Sequence, residues 1–251
     1  MTFLNFYINY THVFFDLYGT LLDIATDEES DATWEVLRKF LAENGAEYED
    51  VKELKIFWDK AESKLINAQG FNKEESEYDI AKLYKEAFAN KGIQSDDKLA
   101  AEAARVFRDA SRKFMNLYPG TVEMLRKVKD SGRQIVLLSN AQTLFTVPEI
   151  EAVGLDKEFE HIFISSDFGW KKPSAKFYDY AAEKLGCDKN NVLMVGNDPV
   201  CDIDGARNAG IDAFYFLTGV SPQNSPEVHP DAVVSCAGAD YGELLKYLQI
   251  D

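Results

Sequence analysis

Val13-Phe14-Phe15-Asp16-Leu17-Tyr18-Gly19-Thr20-Leu21-Leu22-Asp23 is an apolar run that ends in a carboxylate, followed by a glycine that frees the backbone and then a hydroxyl. The pattern predicts a buried strand that delivers Asp16 to its carboxyl end, where open α/β sheets gather their chemistry. An ordinary strand followed by an Asp/Gly turn carries the same signature. The other strand ends distinguish the two.

From Tyr118 onward, helices and strands alternate. Pro119-Gly120 opens an amphipathic helix through Val122, Leu125 and Val128, and Ser131-Gly132 closes it. Gln134 to Leu138 reads as a buried strand that ends at Ser139-Asn140. A helix is expected from Pro148 to Val153, then a strand from His161 to Ser165. Gly169 to Pro173 is a loop, because Gly and Pro interrupt regular structure. A helix from Ala175 to Leu185 stops at Gly186, and the strand Val192 to Val195 ends at Gly196-Asn197-Asp198. Ala213 to Leu217 and Ala232 to Val234 complete the series. This alternation implies right-handed crossovers and an α/β fold with a doubly wound parallel sheet.

Between the first strand and this series the periodicity is helical. Trp34, Leu37 and Leu41 share one face. Leu54, Phe57, Trp58, Ala61 and Leu65 mark a second helix with Gly70 at its end. Leu83, Tyr84, Ala87 and Phe88 mark a third, expected over residues 75–89. A fourth, capped at Asp96 or Asp97, is expected to run to about Asn116 through Phe107 and Phe114. The aromatic stripes read as core packing.

Lys and Arg number 27 against 43 Asp and Glu, a net charge of −16. That charge argues against nucleic acid or an anionic membrane surface as partner. A small anionic substrate would need a few local positive groups. The three cysteines, Cys187, Cys201 and Cys236, lack paired spacing, so no disulfide framework or zinc site is expected. The apolar start, Met1 to Ile8, lacks a basic region and a cleavage pattern and is short for a bilayer span. It reads as an extension beside the first strand of a soluble, cytoplasmic protein.

Taken together, Asp16-Leu17-Tyr18-Gly19-Thr20, Leu138-Ser139-Asn140, Lys172-Pro173 and Gly196-Asn197-Asp198-Pro199-Val200-Cys201-Asp202 resemble the motif set of the haloacid dehalogenase superfamily. The resemblance implies a Rossmann-like core over residues 1–23 and 117–251, with an inserted α-helical cap over 24–116. It implies Asp16 as nucleophile, with Ser139 and Lys172 contacting the transferring group. It further implies Thr20, Asn140, Tyr18 and Tyr178 at the substrate, and Mg²⁺ held by Asp16, the Tyr18 carbonyl, Asp198 and Asp202. Such a carboxylate works by covalent catalysis, which splits one displacement into two steps.

The chain departs from the superfamily's phosphatases at Tyr18, where they carry an Asp that acts as general acid and base. That function is worth roughly 10²–10⁴-fold, and a phenol with an ordinary pKa of about 10 is a poor substitute. The Asp-x-Tyr-Gly-Thr pattern, with Tyr178, instead resembles the branch that removes halide from 2-haloacids, because halide leaves without a proton. Asp198 and Asp202 point back to phosphatases, although Asn197 stands where these usually have Asp. The cap also lacks that branch's Arg: Trp58 precedes Asp59, and the nearest cap arginine is Arg38. The sequence therefore favours a hydrolase, first a Mg²⁺-dependent phosphatase acting on a small phosphate monoester. A metal-independent L-2-haloacid dehalogenase is the alternative, and a non-catalytic phospho-ligand binder is a third reading.

Overall fold

The computed structural model describes residues 10–68 and 74–251, so the expected extension at Met1 to Ile8 and the helix stop at Gly70 lie outside the described residues. In chain order, β1 (His12–Phe15) and β2 (Leu22–Thr26) precede four helices. These are α1 (Asp31–Glu43), α2 (Val51–Ala68), α3 (Ala81–Ala89) and α4 (Asp97–Ser111). The alternating part comprises β3 (Arg112–Leu117), α5 (Thr121–Asp130), β4 (Gln134–Ser139), α6 (Thr143–Ala152), β5 (His161–Ile164), α7 (Ala175–Leu185) and β6 (Val192–Gly196). It ends with α8 (Gly205–Ala209), β7 (Asp212–Leu217), β8 (Val234–Ala237) and α9 (Tyr241–Tyr247).

Six parallel strands form one sheet in the order β5-β4-β1-β6-β7-β8. β1 is central because its residues are apolar on both faces, as strands covered on both sides must be. Val13 and Phe15 point into one core with Leu137, Val195, Phe214 and Leu125. Phe14 points into another with Val136, Met194, Phe177 and Ala206. The register sets Phe15 level with Leu137 and Val195, so Asp16, Ser139 and Asn197 emerge at one carboxyl edge.

Helices α1 to α4 build a third core, with Trp34, Trp58, Tyr84 and Phe107 in edge-to-face contact. Phe145 of α6 joins it. The chain enters and leaves this helical layer through β2 and β3, which pair as an antiparallel ribbon. That ribbon corrects the expected helix end. α4 stops at Ser111, and Phe114 sits exposed on a strand because β2 supplies backbone partners the local pattern did not show.

Two further starts differ from expectation. α3 begins at Ala81 rather than near residue 75, because the preceding backbone pairs with the loop before Lys172. Glu77 N–H donates to Gly169 O at 3.0 Å, and Lys171 N–H donates to Glu75 O at 3.1 Å. α6 begins at Thr143, with Pro148 inside it, because the Ser166 hydroxyl caps the Thr143 N–H at 3.0 Å. No helix among the described residues is long and apolar enough to cross a membrane.

Candidate active site

Asp16 follows β1, with its N–H donating to Val195 O at 2.9 Å. Lys172 reaches it from the loop before α7, Nζ to Oδ1 at 2.8 Å, and reaches Asp202 Oδ1 at 2.6 Å. The lysine is 1% exposed. Burial opposes its charge, yet the two carboxylates push its pKa up. Asp202 is fully enclosed; burial pushes its pKa up, with Lys172 opposing and Asp16 adding. One lysine cannot neutralise two carboxylates, and the fully buried one carries the electrostatic strain.

The sequence places the lysine by a clamp. Asn140, just past β4, accepts from the Lys172 N–H at 2.7 Å and donates to its carbonyl at 2.8 Å. The Asn140 amide, expected at the substrate, holds the Lys172 backbone in this way and also borders the cavity. Thr20, also expected at the substrate, lies against Asp16. It is fully buried and donates to Asp16 Oδ2 at 3.2 Å, which orients the carboxylate.

Asp198 and Asp202 diverge despite their shared turn. Asp198 Oδ1 accepts from the N–H groups of Val200 and Cys201, capping the wide turn Pro199–Asp204. Asp202 Oδ2 accepts from the N–H groups of Asn197 and Asp198, both at 2.9 Å. Both Asp202 oxygens are thus engaged, Oδ1 by Lys172 and Oδ2 by the amides of its own turn. Gly196 makes this approach feasible, since a Cβ there would lie 2.3 Å from the Asp202 carboxylate. Tyr178, expected at the substrate, is fully buried and donates to Cys201 O at 2.8 Å. It supports the turn that carries Asp202.

Tyr18 presents its carbonyl to the site and sends its hydroxyl elsewhere. The hydroxyl donates to Glu149 Oε2 at 2.6 Å and lies 3.0 Å from Thr146 Oγ1. Burial, then Glu149, pushes the phenol far up. Arg108 of α4 closes the cluster: Nε donates to Glu149 Oε1 at 2.7 Å, Nη1 pairs with Glu28, and the guanidinium lies 5.8 Å from the Tyr18 ring centre. Sequence reasoning missed Arg108 and Glu149. The only signal available was the pair Glu149 and Glu151 in the otherwise apolar α6, with nothing to single out Glu149.

Around these groups lies a cavity of about 200 Å³, lined by Asp16, Tyr18, Asn140, Lys172 and Asp198. Val220 and Pro222 form its outer wall. Drug-sized ligands occupy roughly 300–1,000 Å³, so this space suits a small molecule or the reacting end of a larger one. Cys201 also lines it, but burial and the charges of Asp198 and Asp202 push its thiol up, leaving Asp16 as the nucleophile to consider. Ser139 closes β4 fully buried, and its hydroxyl has no hydrogen-bond partner. An orphaned hydroxyl at this edge is an available contact for a ligand oxygen.

The sequence model of one family, haloacid dehalogenase-like hydrolase, matches residues 10–210. The chain belongs to the haloacid dehalogenase-like hydrolases. Among curated members, a phosphoglycolate phosphatase of Agrobacterium fabrum is 32% identical over 117 residues, 47% of this chain and 50% of that one. This chain therefore spans about half the length of that relative. A pyrimidine 5'-nucleotidase of Streptococcus pneumoniae is 25% identical over 209 residues, 82% of this chain and 84% of that one. Among solved haloacid dehalogenase-like structures, a 2-haloacid dehalogenase from Pseudomonas syringae pv. Tomato superposes with a TM-score of 0.67. That match covers 96% of this chain and 98% of that one at 21% identity, and it speaks to fold alone.

Proposed function

We propose that this chain hydrolyses a small phosphate monoester through an aspartyl phosphate on Asp16, with the helical layer of α1 to α4 as its cap. The observation that carries the reading is the buried Lys172 Nζ, 2.8 Å from Asp16 Oδ1 in a small cavity. The curated relatives named phosphatases and nucleotidases support the phosphate ester over other substrates. An Asp16 oxygen attacks phosphorus, the ester P–O bond breaks, and the leaving oxygen departs with the electron pair. Water then attacks the phosphorus of the acyl phosphate, which returns the Asp16 carboxylate and releases inorganic phosphate. Lys172 and the Ser139 hydroxyl offset the phosphoryl charge.

The donors around Asp16 suit a small, hard cation such as Mg²⁺. Asp16 Oδ2, the Tyr18 carbonyl and one end of the Asn197 amide converge within 3.0–3.3 Å, and Asp198 lies at the same edge. This is a hard, oxygen-bearing set that fits Mg²⁺, with Asp202 set behind Lys172 rather than among the open donors. When bound, the ion supplies further neutralisation of phosphoryl charge.

The Tyr18 hydroxyl is held by Glu149, so the leaving oxygen takes its proton from solvent. Rates on aryl phosphates are expected to fall steeply as the leaving-group pKa rises, measured as phosphate release, and Asp16→Asn abolishes them. A flat dependence would falsify the absence of an internal acid. The same held hydroxyl favours a second reading, 2-haloacid dehalogenation, because halide needs no proton. Chloride release from a 2-chloroacid without divalent metal, and no phosphate release from any ester, would establish that reading instead.

A further inference from the structure

One end of the buried Asn197 carboxamide lies 3.0 Å from the Tyr18 carbonyl oxygen and 3.3 Å from Asp16 Oδ2 and Thr20 Oγ1. As nitrogen, this end has two protons to place among three oxygens within reach. As oxygen, it faces two acceptors and receives a proton only from the Thr20 hydroxyl, 3.3 Å away. Hydrogen bonding alone therefore assigns nitrogen to this side. A cation among the same atoms reverses the preference, because the amide oxygen then joins two others as a ligand.

The spacing suits both orientations. Six ligands at 2.0–2.1 Å around Mg²⁺ place adjacent oxygens about 2.9 Å apart. The Asn197 end lies 3.0 Å and 3.3 Å from the Tyr18 and Asp16 oxygens. Its opposite end meets Ser221 Oγ at 3.4 Å, and a hydroxyl donates or accepts by rotating. Gly19, with φ of +88°, leaves the amide its space, since a Cβ would lie 2.3 Å from the end of the Asn197 amide that faces Ser221.

We propose that Asn197 is a two-position amide: its end beside the Tyr18 and Asp16 oxygens is a hydrogen-bond donor while no cation is bound, and it turns over to present its oxygen as the cation's ligand. The inference rests on the phosphate-ester reading for its choice of ion. Binding must displace the hydrogen bonds of the amide's two N–H groups and gains no charge from the side chain, so this chain holds Mg²⁺ more weakly than one with Asp at this position.

The test uses the full chain and MgCl₂ without substrate. Calorimetry compares the parent with Asn197→Asp, while NMR follows the Asn197 side-chain NH₂ signals of the parent, assigned by their loss in the variant. The expected results are Mg²⁺ affinity about tenfold or more higher in the variant, since ligand charge sets affinity, and parent NH₂ signals that move in step with its own binding. Equal affinities, no Mg²⁺ binding by the parent, or binding that leaves the Asn197 signals in place would each overturn the proposal. The parent NMR experiment stands even if the variant folds poorly. Cation binding without phosphate release from any ester would sink the phosphate reading while leaving the amide proposal intact.

Discussion

Lys172 lies between Asp16 and Asp202 with 1% of its side chain exposed, and this small triad sets the charge of the whole site. Removing one member of a buried ionic cluster leaves the others unpaired in a poorly solvating interior, which costs about 3–5 kcal/mol. Lys172→Met keeps the volume and removes the charge. It is expected to lower stability by about that amount in urea titration, with turnover lost as well. A stability change of less than about 1 kcal/mol would mean that water already screens the two carboxylates. The neighbouring residues show how one side chain can be legible as a type and hidden as a role. Asp198 and Asp202 stood out by spacing. Nothing local distinguished the one that caps its own turn from the one that faces the lysine.

At the scale of elements, the segment before α3 ties the helical layer to the loop that bears Lys172. Glu77 is buried there, accepting from Ser165 Oγ at 2.9 Å and Gln142 Nε2 at 3.0 Å. Burial pushes its carboxyl above the ordinary 4.5, with Lys171 and the hydrogen bonds opposing. A folded-state pKa above the unfolded one contributes stability that is fully present below pH 4.5. That contribution fades as pH rises through the raised value. Glu77→Gln removes the titration, and its amide finds acceptors because Ser165 Oγ can turn its proton to Ala141 O at 3.2 Å. The variant is expected to gain melting temperature over the parent at pH 8 and to lose that gain near pH 4. A gain independent of pH would show that the ionised carboxylate is not the source. Arg108 and Glu149 make the second tie, from α4 to α6, beside Tyr18. Both ties join segments remote in sequence, and the first, with the pairing of β2 and β3, explains why helical periodicity misplaced the start of α3 and the end of α4.

Across the whole molecule, three apolar clusters divide the work. Two cover the faces of the parallel sheet, and the third lies among α1 to α4 with its own aromatic centre. Trp58 contacts Trp34 at 5.3 Å and Tyr84 at 4.9 Å between ring centres. Truncation of such a residue costs about 3–5 kcal/mol. Trp58→Ala is expected to speed amide hydrogen exchange throughout α1 to α4 while β1, β4 and β6 stay protected, since the sheet cores keep every contact. Equal loss of protection in the central strands would show that the two parts unfold as one. The net charge of −16 belongs to this scale as well. With so acidic a surface, an anionic substrate depends on the buried lysine and on the amides and hydroxyls at one sheet edge.

The alternation of strands and helices, the double-sided burial of β1 and the set of polar residues at strand ends follow from the sequence alone. Apolar period, glycine breaks and turn chemistry act over a few residues and need no distant partner. Orientation belongs to the tertiary structure. Lys172 meets Asp16 across 156 positions, Asn197 meets Thr20 across 177, and Tyr18 gives its hydroxyl to Glu149 across 131. Which oxygen faces which donor is settled only when the sheet brings these segments together, because a hydrogen bond depends on ångström placement that local pattern does not carry.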